Sequence, residues 1–211
     1  MSNAENSTQS HGKLIAVVVA AAVVIVLAVL SAFVWPGWAI KQDDAGASQG
    51  QNQSQSKDQG EQSEPTTPSI DATALPDVAT ELLKAMPDSV LNYARTKADA
   101  STSWSSSSPL EEYTLVYSTG DTTKDVTLIA AQWSSADSAK TQYDALVGAQ
   151  TGEDRASGNV KVSGETTGEY VVKADANDDT KSVAIWQNDT VVFQATGTKD
   201  AVERFYQKFP M

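Results

Sequence analysis

The sequence predicts an α+β fold: an antiparallel sheet with helices packed on one face, carried behind an apolar segment and a polar linker. Three observations lead there. Apolar residues alternate at period two through Tyr113-Thr114-Leu115-Val116-Tyr117 and Thr190 to Thr196, the spacing of strands with one face buried. Helical spacing takes over at Ala136 to Val147 and Thr198 to Phe209. The order strand, strand, helix therefore occurs twice, at 112 to 147 and 182 to 209, as in two similar halves sharing one sheet.

The N-terminal third has a different character. From Leu14 to Val34 no residue is charged and Ser31 alone carries a hydroxyl. At about 1.5 Å per residue such a helix reaches roughly 31 Å, the hydrocarbon thickness of a bilayer. Trp35, Pro36, Gly37, Trp38 and Lys41 follow as an interfacial belt, a helix stop and a cation. Residues 14–34 therefore read as a transmembrane helix behind a short cytoplasmic head, 1–13. A cleaved signal peptide is the competing reading, since Gly37 and Ala39 have cleavage-site spacing, but the apolar run exceeds the roughly 7 to 15 residues of a signal-peptide core. With Lys13 and Lys41 balancing across the span, orientation follows the signal-anchor arrangement, which exports the C-terminal part.

Residues 35–70 form the linker. Its main part, KQDDAGASQGQNQSQSKDQGEQSEPTTPSI, has almost nothing apolar to bury and reads as disordered. A coil of 30 residues spans about 30 Å end to end. Composition shifts near Asp71, and residues 71–211 suffice for one compact extracytoplasmic domain.

Within that domain, Pro76 and Asp77 open a helix in which Val78, Leu82, Ala85 and Met86 share a face, and Pro87 stops it. Val90, Leu91 and Tyr93 suggest a strand, and Ser101 to Ser108 a loop. A turn at Gly120-Asp121 leads to Val126 through Trp133, apolar enough for a central strand covered on both faces. Ser134 or Ser135 caps the next helix, which ends near Gly148. A Gly-rich polar connection then precedes strands at Tyr170 to Ala174 and Ser182 to Gln187. Asn188-Asp189 reads as a two-residue hairpin loop, and Thr198 caps the last helix before Pro210.

Charge and residue types limit the chemistry. The 211 residues carry 27 acids against 15 bases, a net charge of -12, which argues against a nucleic-acid partner. Most of the excess, 21 acids against 12 bases, lies in residues 71–211. There is no cysteine, and the one histidine, His11, lies ahead of the apolar run. The exported domain thus lacks the commonest general base and the usual soft metal ligands. Asp175-x-Asn177-Asp178-Asp179 starts like a calcium loop, but the sixth position is not Gly and the twelfth is Trp186, so it reads as a solvated turn. Glu111 and Glu112 are adjacent on a strand and point to opposite faces, unlike a paired-carboxylate site. Gly158, Gly164 and Gly168 match no phosphate-loop pattern, and Ser54-x-x-Lys57 lies in the polar tract where no rigid frame holds a nucleophile. Trp104, Trp133 and Trp186 are read as core ahead of a groove for sugar or peptide. Asn188-x-Thr190 has the glycosylation sequon. No catalytic, cofactor-binding or metal-binding residue is assigned.

Several segments carry a resemblance: Tyr113 to Gly120, Ala131-Gln132-Trp133 before a capped helix, Trp186-x-Asn188-x-Thr190-Val191-Val192-Phe193, and Phe205-Tyr206-x-x-Phe209-Pro210. Together with the anchor and linker they resemble single-span envelope proteins of high-GC Gram-positive bacteria, mostly of unknown function. That resemblance implies location at the cell membrane. The function expected from the layout is a non-enzymatic binding or interaction module of the cell envelope, with an envelope protein or ligand as partner. The alternative is a hydrolase acting on glycan through carboxylates or Ser. Ala20, Ala21 and Ala22 permit pairing of the apolar helix without requiring any oligomer.

Overall fold

The computed structural model describes residues 64–210. The head 1–13, the apolar run 14–34 and most of the linker lie outside the described residues. Among those described, no helix is long and apolar enough to cross a membrane.

Eight strands form one antiparallel sheet. In chain order they are β1 (Ser89–Val90), β2 (Tyr93–Ala100), β3 (Glu111–Ser118), β4 (Val126–Gln132), β5 (Asp154–Val162), β6 (Glu165–Ala174), β7 (Lys181–Asn188) and β8 (Val191–Thr198). Across the sheet the order is β1-β2-β3-β4-β8-β7-β6-β5. Strands β4 and β8 are therefore the central pair, with Ile129 opposite Gln194 and Ala131 opposite Val192. The two strand-strand-helix units stand back to back across that seam.

Among the described residues three α-helices accompany the sheet: α1 (Glu81–Ala85), α2 (Ala136–Ala149) and α3 (Lys199–Lys208). Their placement corrects the expectation of helices on one face. On the first face, Leu115, Leu128, Ala130, Ala184, Trp186, Phe193 and Ala195 pack against Leu82 and Leu83 of α1 and Val202 and Phe205 of α3. On the second, Ala131, Trp133, Val183, Ile185 and Val192 pack against Ala139 and Tyr143 of α2 and against Trp104. Helices α2 and α3 both lie over β7 and β8, from opposite sides. That is why Ser182-Val183-Ala184-Ile185-Trp186-Gln187-Asn188 is buried throughout. A strand sandwiched between helices has no solvent side, so its apolar run is continuous.

Local chemistry explains the element limits. The Ser135 side chain accepts a hydrogen bond from the Ser138 N–H, capping α2, and Asp137 sits in the first turn. Thr80 caps α1 through the Leu83 N–H, so the first helix is one turn long and begins after the Pro76-Asp77 start expected of it. Val78 is exposed and takes no part in it. Thr198 stands at the N-cap of α3 without a side-chain capping bond.

Other departures have equally local causes. Leu91 adopts φ 52°, so the predicted strand through Val90 and Tyr93 folds into a tight turn and the chain returns as β2. The Gly-rich polar connection is β5 plus the start of β6. These strands pair with each other, and β5 is the sheet edge, where polar side chains meet water. The hairpin loop is Asp189-Thr190, one residue later than predicted, because Asn188 pairs with Val191 and Asp189 alone carries positive φ, 51°.

Candidate functional site

The chain brings four separate segments together around one cleft beside the N-terminal end of α3. Its volume is about 450 Å³, within the range of small-ligand sites. Tyr93, at the start of β2, is buried and meets Phe205 edge-on with ring centroids 6.1 Å apart. It and Ala201 line the cleft floor. Asn92 precedes Tyr93, and its buried Oδ1 has no hydrogen-bond partner.

One wall is the loop between β3 and β4. Gly120 has φ +94°, a backbone that other residues adopt only with strain. Asp121 Oδ1 accepts from the Thr123 N–H at 3.1 Å and from its hydroxyl at 2.7 Å, which tightens Thr122–Lys124 into a 3-10 turn. Those bonds, the Thr123 hydroxyl first, hold the Asp121 carboxyl below its ordinary pKa. Thr119, Thr123 and Lys124 thereby line the wall.

The opposite wall is α3 together with the incoming chain. Asp200 and Arg204 are four residues apart on one helix face, with Thr198 at the cap. Arg204 Nη1 lies 2.5 Å from Glu64 Oε2, and its Nη2 donates to the Pro65 carbonyl at 2.9 Å. The guanidinium is 6.0 Å from the Tyr93 ring centre. Burial raises the Tyr93 hydroxyl pKa, and the positive Arg204 opposes that shift. The cleft thus combines two cations, two carboxylates, several hydroxyls and an aromatic floor.

The residues weighed from sequence lie elsewhere. The acidic turn is exposed and satisfies itself: Asp175 Oδ1 accepts the Asn177 N–H at 2.8 Å, and Asp178 Oδ1 accepts the Thr180 N–H and hydroxyl at 3.1 and 2.6 Å. The Thr180 hydroxyl is the largest cause holding the Asp178 carboxyl below its ordinary pKa. Among the described residues no group of three His, Cys, Asp or Glu side chains is placed to hold a metal.

Glu111 and Glu112 do serve opposite faces. Glu111 accepts from the Tyr113 hydroxyl at 3.2 Å, whereas Glu112 is buried and accepts the Trp104 N–H at 3.0 Å. The three tryptophans are core, none more than 7 % exposed. Asn188 of the sequon is also 7 % exposed, too buried to present its amide for glycosylation. None of the cleft residues was read from the sequence as a site residue, since those that meet across it are far apart in the chain, Pro65 and Arg204 by 139 residues. The one available signal was that Lys124 and Arg204 are cations in a strongly acidic chain.

No family model matches the chain, and no curated protein matches it. Among solved structures, a GTP binding regulator from Thermotoga maritima aligns over 56 % of this chain and 78 % of its own, with 13 % identity and a TM-score of 0.36. A likeness at that level supports no argument about fold or function.

Proposed function

We propose that this protein is a membrane-anchored binding module of the bacterial cell envelope, in which residues 14–34 anchor the chain, the polar tract ahead of Glu64 acts as a stalk, and the α+β domain presents the Arg204 cleft to a ligand outside the membrane. The observation that carries the reading is the cleft itself: about 450 Å³, lined by Lys124 and Arg204 above the buried Tyr93, at the point where the linker joins the domain. Such a concave site, with a few convergent polar groups on a rigid frame, is the usual form of a ligand site. The apolar run and the polar tract supply the location.

Two measurements test it in cells. Protease added to intact cells should remove the C-terminal domain, and a photocrosslinking residue at Thr123 in the full chain should capture an envelope component. A domain untouched by protease until the cells are opened would overturn the topology. A Thr123 position that captures nothing would overturn the cleft as the binding site.

A further inference from the structure

The contact between Arg204 and residues 64–65 has the form of a bound peptide. One edge of the guanidinium takes a carboxylate, Glu64 Oε2, and the other takes a main-chain carbonyl, Pro65 O. Arginine is suited to this two-pronged grip because its donors are fixed in a planar fork. The grip is shallow, since Glu64 is 59 % exposed. Downstream, Ser69 touches the Thr119 carbonyl from the surface and Thr73 is fastened to β2. Residues 64 and 65 therefore precede the stretch secured at Ser69 and Thr73. The cleft beside them keeps its volume with this segment in place, and is also lined by Lys124.

We infer that the ligand of the cleft is an extended acidic peptide segment of a partner protein, held by Arg204 through a carboxylate and an adjacent carbonyl, and that Glu64-Pro65 is a displaceable internal occupant of the same position. The inference rests on the reading of the cleft as the binding site. Removing Glu64 releases the Arg204 fork for the incoming carboxylate, and Lys124 supplies a second cation. Asp200 on the rim disfavours a carboxylate placed beyond Arg204, so the grip is confined to one acid in register with the fork.

The test uses the full chain in detergent and a fluorescent peptide of sequence EQSEPTTP, which reproduces residues 61–68. Fluorescence anisotropy should show Glu64→Ala binding the peptide roughly twofold to fivefold more tightly than the natural chain, as expected on losing a weak exposed competitor. Adding Arg204→Gln to Glu64→Ala should weaken binding roughly tenfold or more, and so should replacing the peptide's Glu-Pro acid with Gln. Arg204→Lys, which keeps the charge and loses the fork, should fall between, and unchanged melting temperatures would show that these variants fold. Equal affinities for natural and Glu64→Ala chains, or binding indifferent to Arg204, would overturn the inference. Capture at Thr123 that persists in Arg204→Gln would leave the binding module standing without the acidic peptide, whereas no capture in either chain would remove the module reading as well.

Discussion

Thr73 and Arg95 are joined twice: the Thr73 N–H donates to the Arg95 carbonyl at 2.7 Å, and Arg95 Nη2 donates to the Thr73 carbonyl at 3.3 Å. The same guanidinium, 1 % exposed, donates to the Met86 and Pro87 carbonyls at 3.1 and 2.9 Å and pairs with Asp88 at 2.7 Å. One buried cation thus ties the incoming chain and the connection from α1 to β1 to the sheet. Replacing Arg95 with Met should cost about 2–4 kcal/mol, because the buried Met86 carbonyl and the part-buried Thr73 carbonyl lose their donor together, while the Pro87 carbonyl keeps the Tyr117 hydroxyl. Urea unfolding followed by far-UV circular dichroism checks it. A cost under about 1 kcal/mol would show that water replaces the guanidinium.

The Trp104 ring stacks on Trp133 with centroids 6.2 Å apart and planes 26° from parallel. Glu112 holds the Trp104 N–H, and Trp133 Nε1 donates to the Ser107 carbonyl at 2.9 Å. The Ser-rich loop is closed down over the second face by these contacts. Trp104→Ala should cost about 3–5 kcal/mol, the range for large-to-small change at a buried aromatic. It should also diminish the near-UV circular dichroism of the pair and open Ser105 to Ser108 to proteolysis.

Two glycines should respond to alanine with opposite sign. A Cβ at Gly168 would lie 2.0 Å from the Gln187 carbonyl oxygen, so β6 cannot keep its approach to β7. A Cβ at Gly148, in the last turn of α2, meets nothing within 4 Å. Gly148→Ala should stabilise the domain by about 0.5–1 kcal/mol through helix propensity, and Gly168→Ala should destabilise it by more than about 2 kcal/mol. Thermal unfolding of the two variants side by side decides the matter.

Stability should decline above pH 10. Burial raises the Tyr143 hydroxyl to about 12, with Glu169 and Asp144 adding to the rise. Burial also raises the Tyr93, Tyr117 and Tyr206 hydroxyls. A folded pKa above the unfolded value of about 10 means that the native state holds its proton longer. The contribution is complete below pH 10 and is lost as pH rises toward 12. Urea midpoints at pH 9 and pH 11.5 should show the fall, and Tyr143→Phe should reduce it. A midpoint unchanged across that interval would contradict the buried hydroxyls.

Much of the sheet was legible because alternation reports a side chain's neighbours directly. Tyr113, Leu115 and Tyr117 do face one core, as do Val191, Phe193 and Ala195. Ser135 was legible as a cap because its chemistry is local. Strand β5 was not, since a largely polar edge strand satisfies its outer backbone with water and carries a weak apolar pattern.

Residue order and polarity were enough for the α+β class and the two strand-strand-helix units. These follow from interactions within about ten residues. The tertiary structure alone decided that α2 and α3 cover opposite faces of β7 and β8. An amphipathic helix specifies which of its sides is buried, while a strand apolar on both sides accepts a helix on either. It alone also decided the cleft, because Glu64, Asn92, Lys124 and Arg204 become neighbours only when β4 pairs with β8 and the incoming chain is fastened to Arg95.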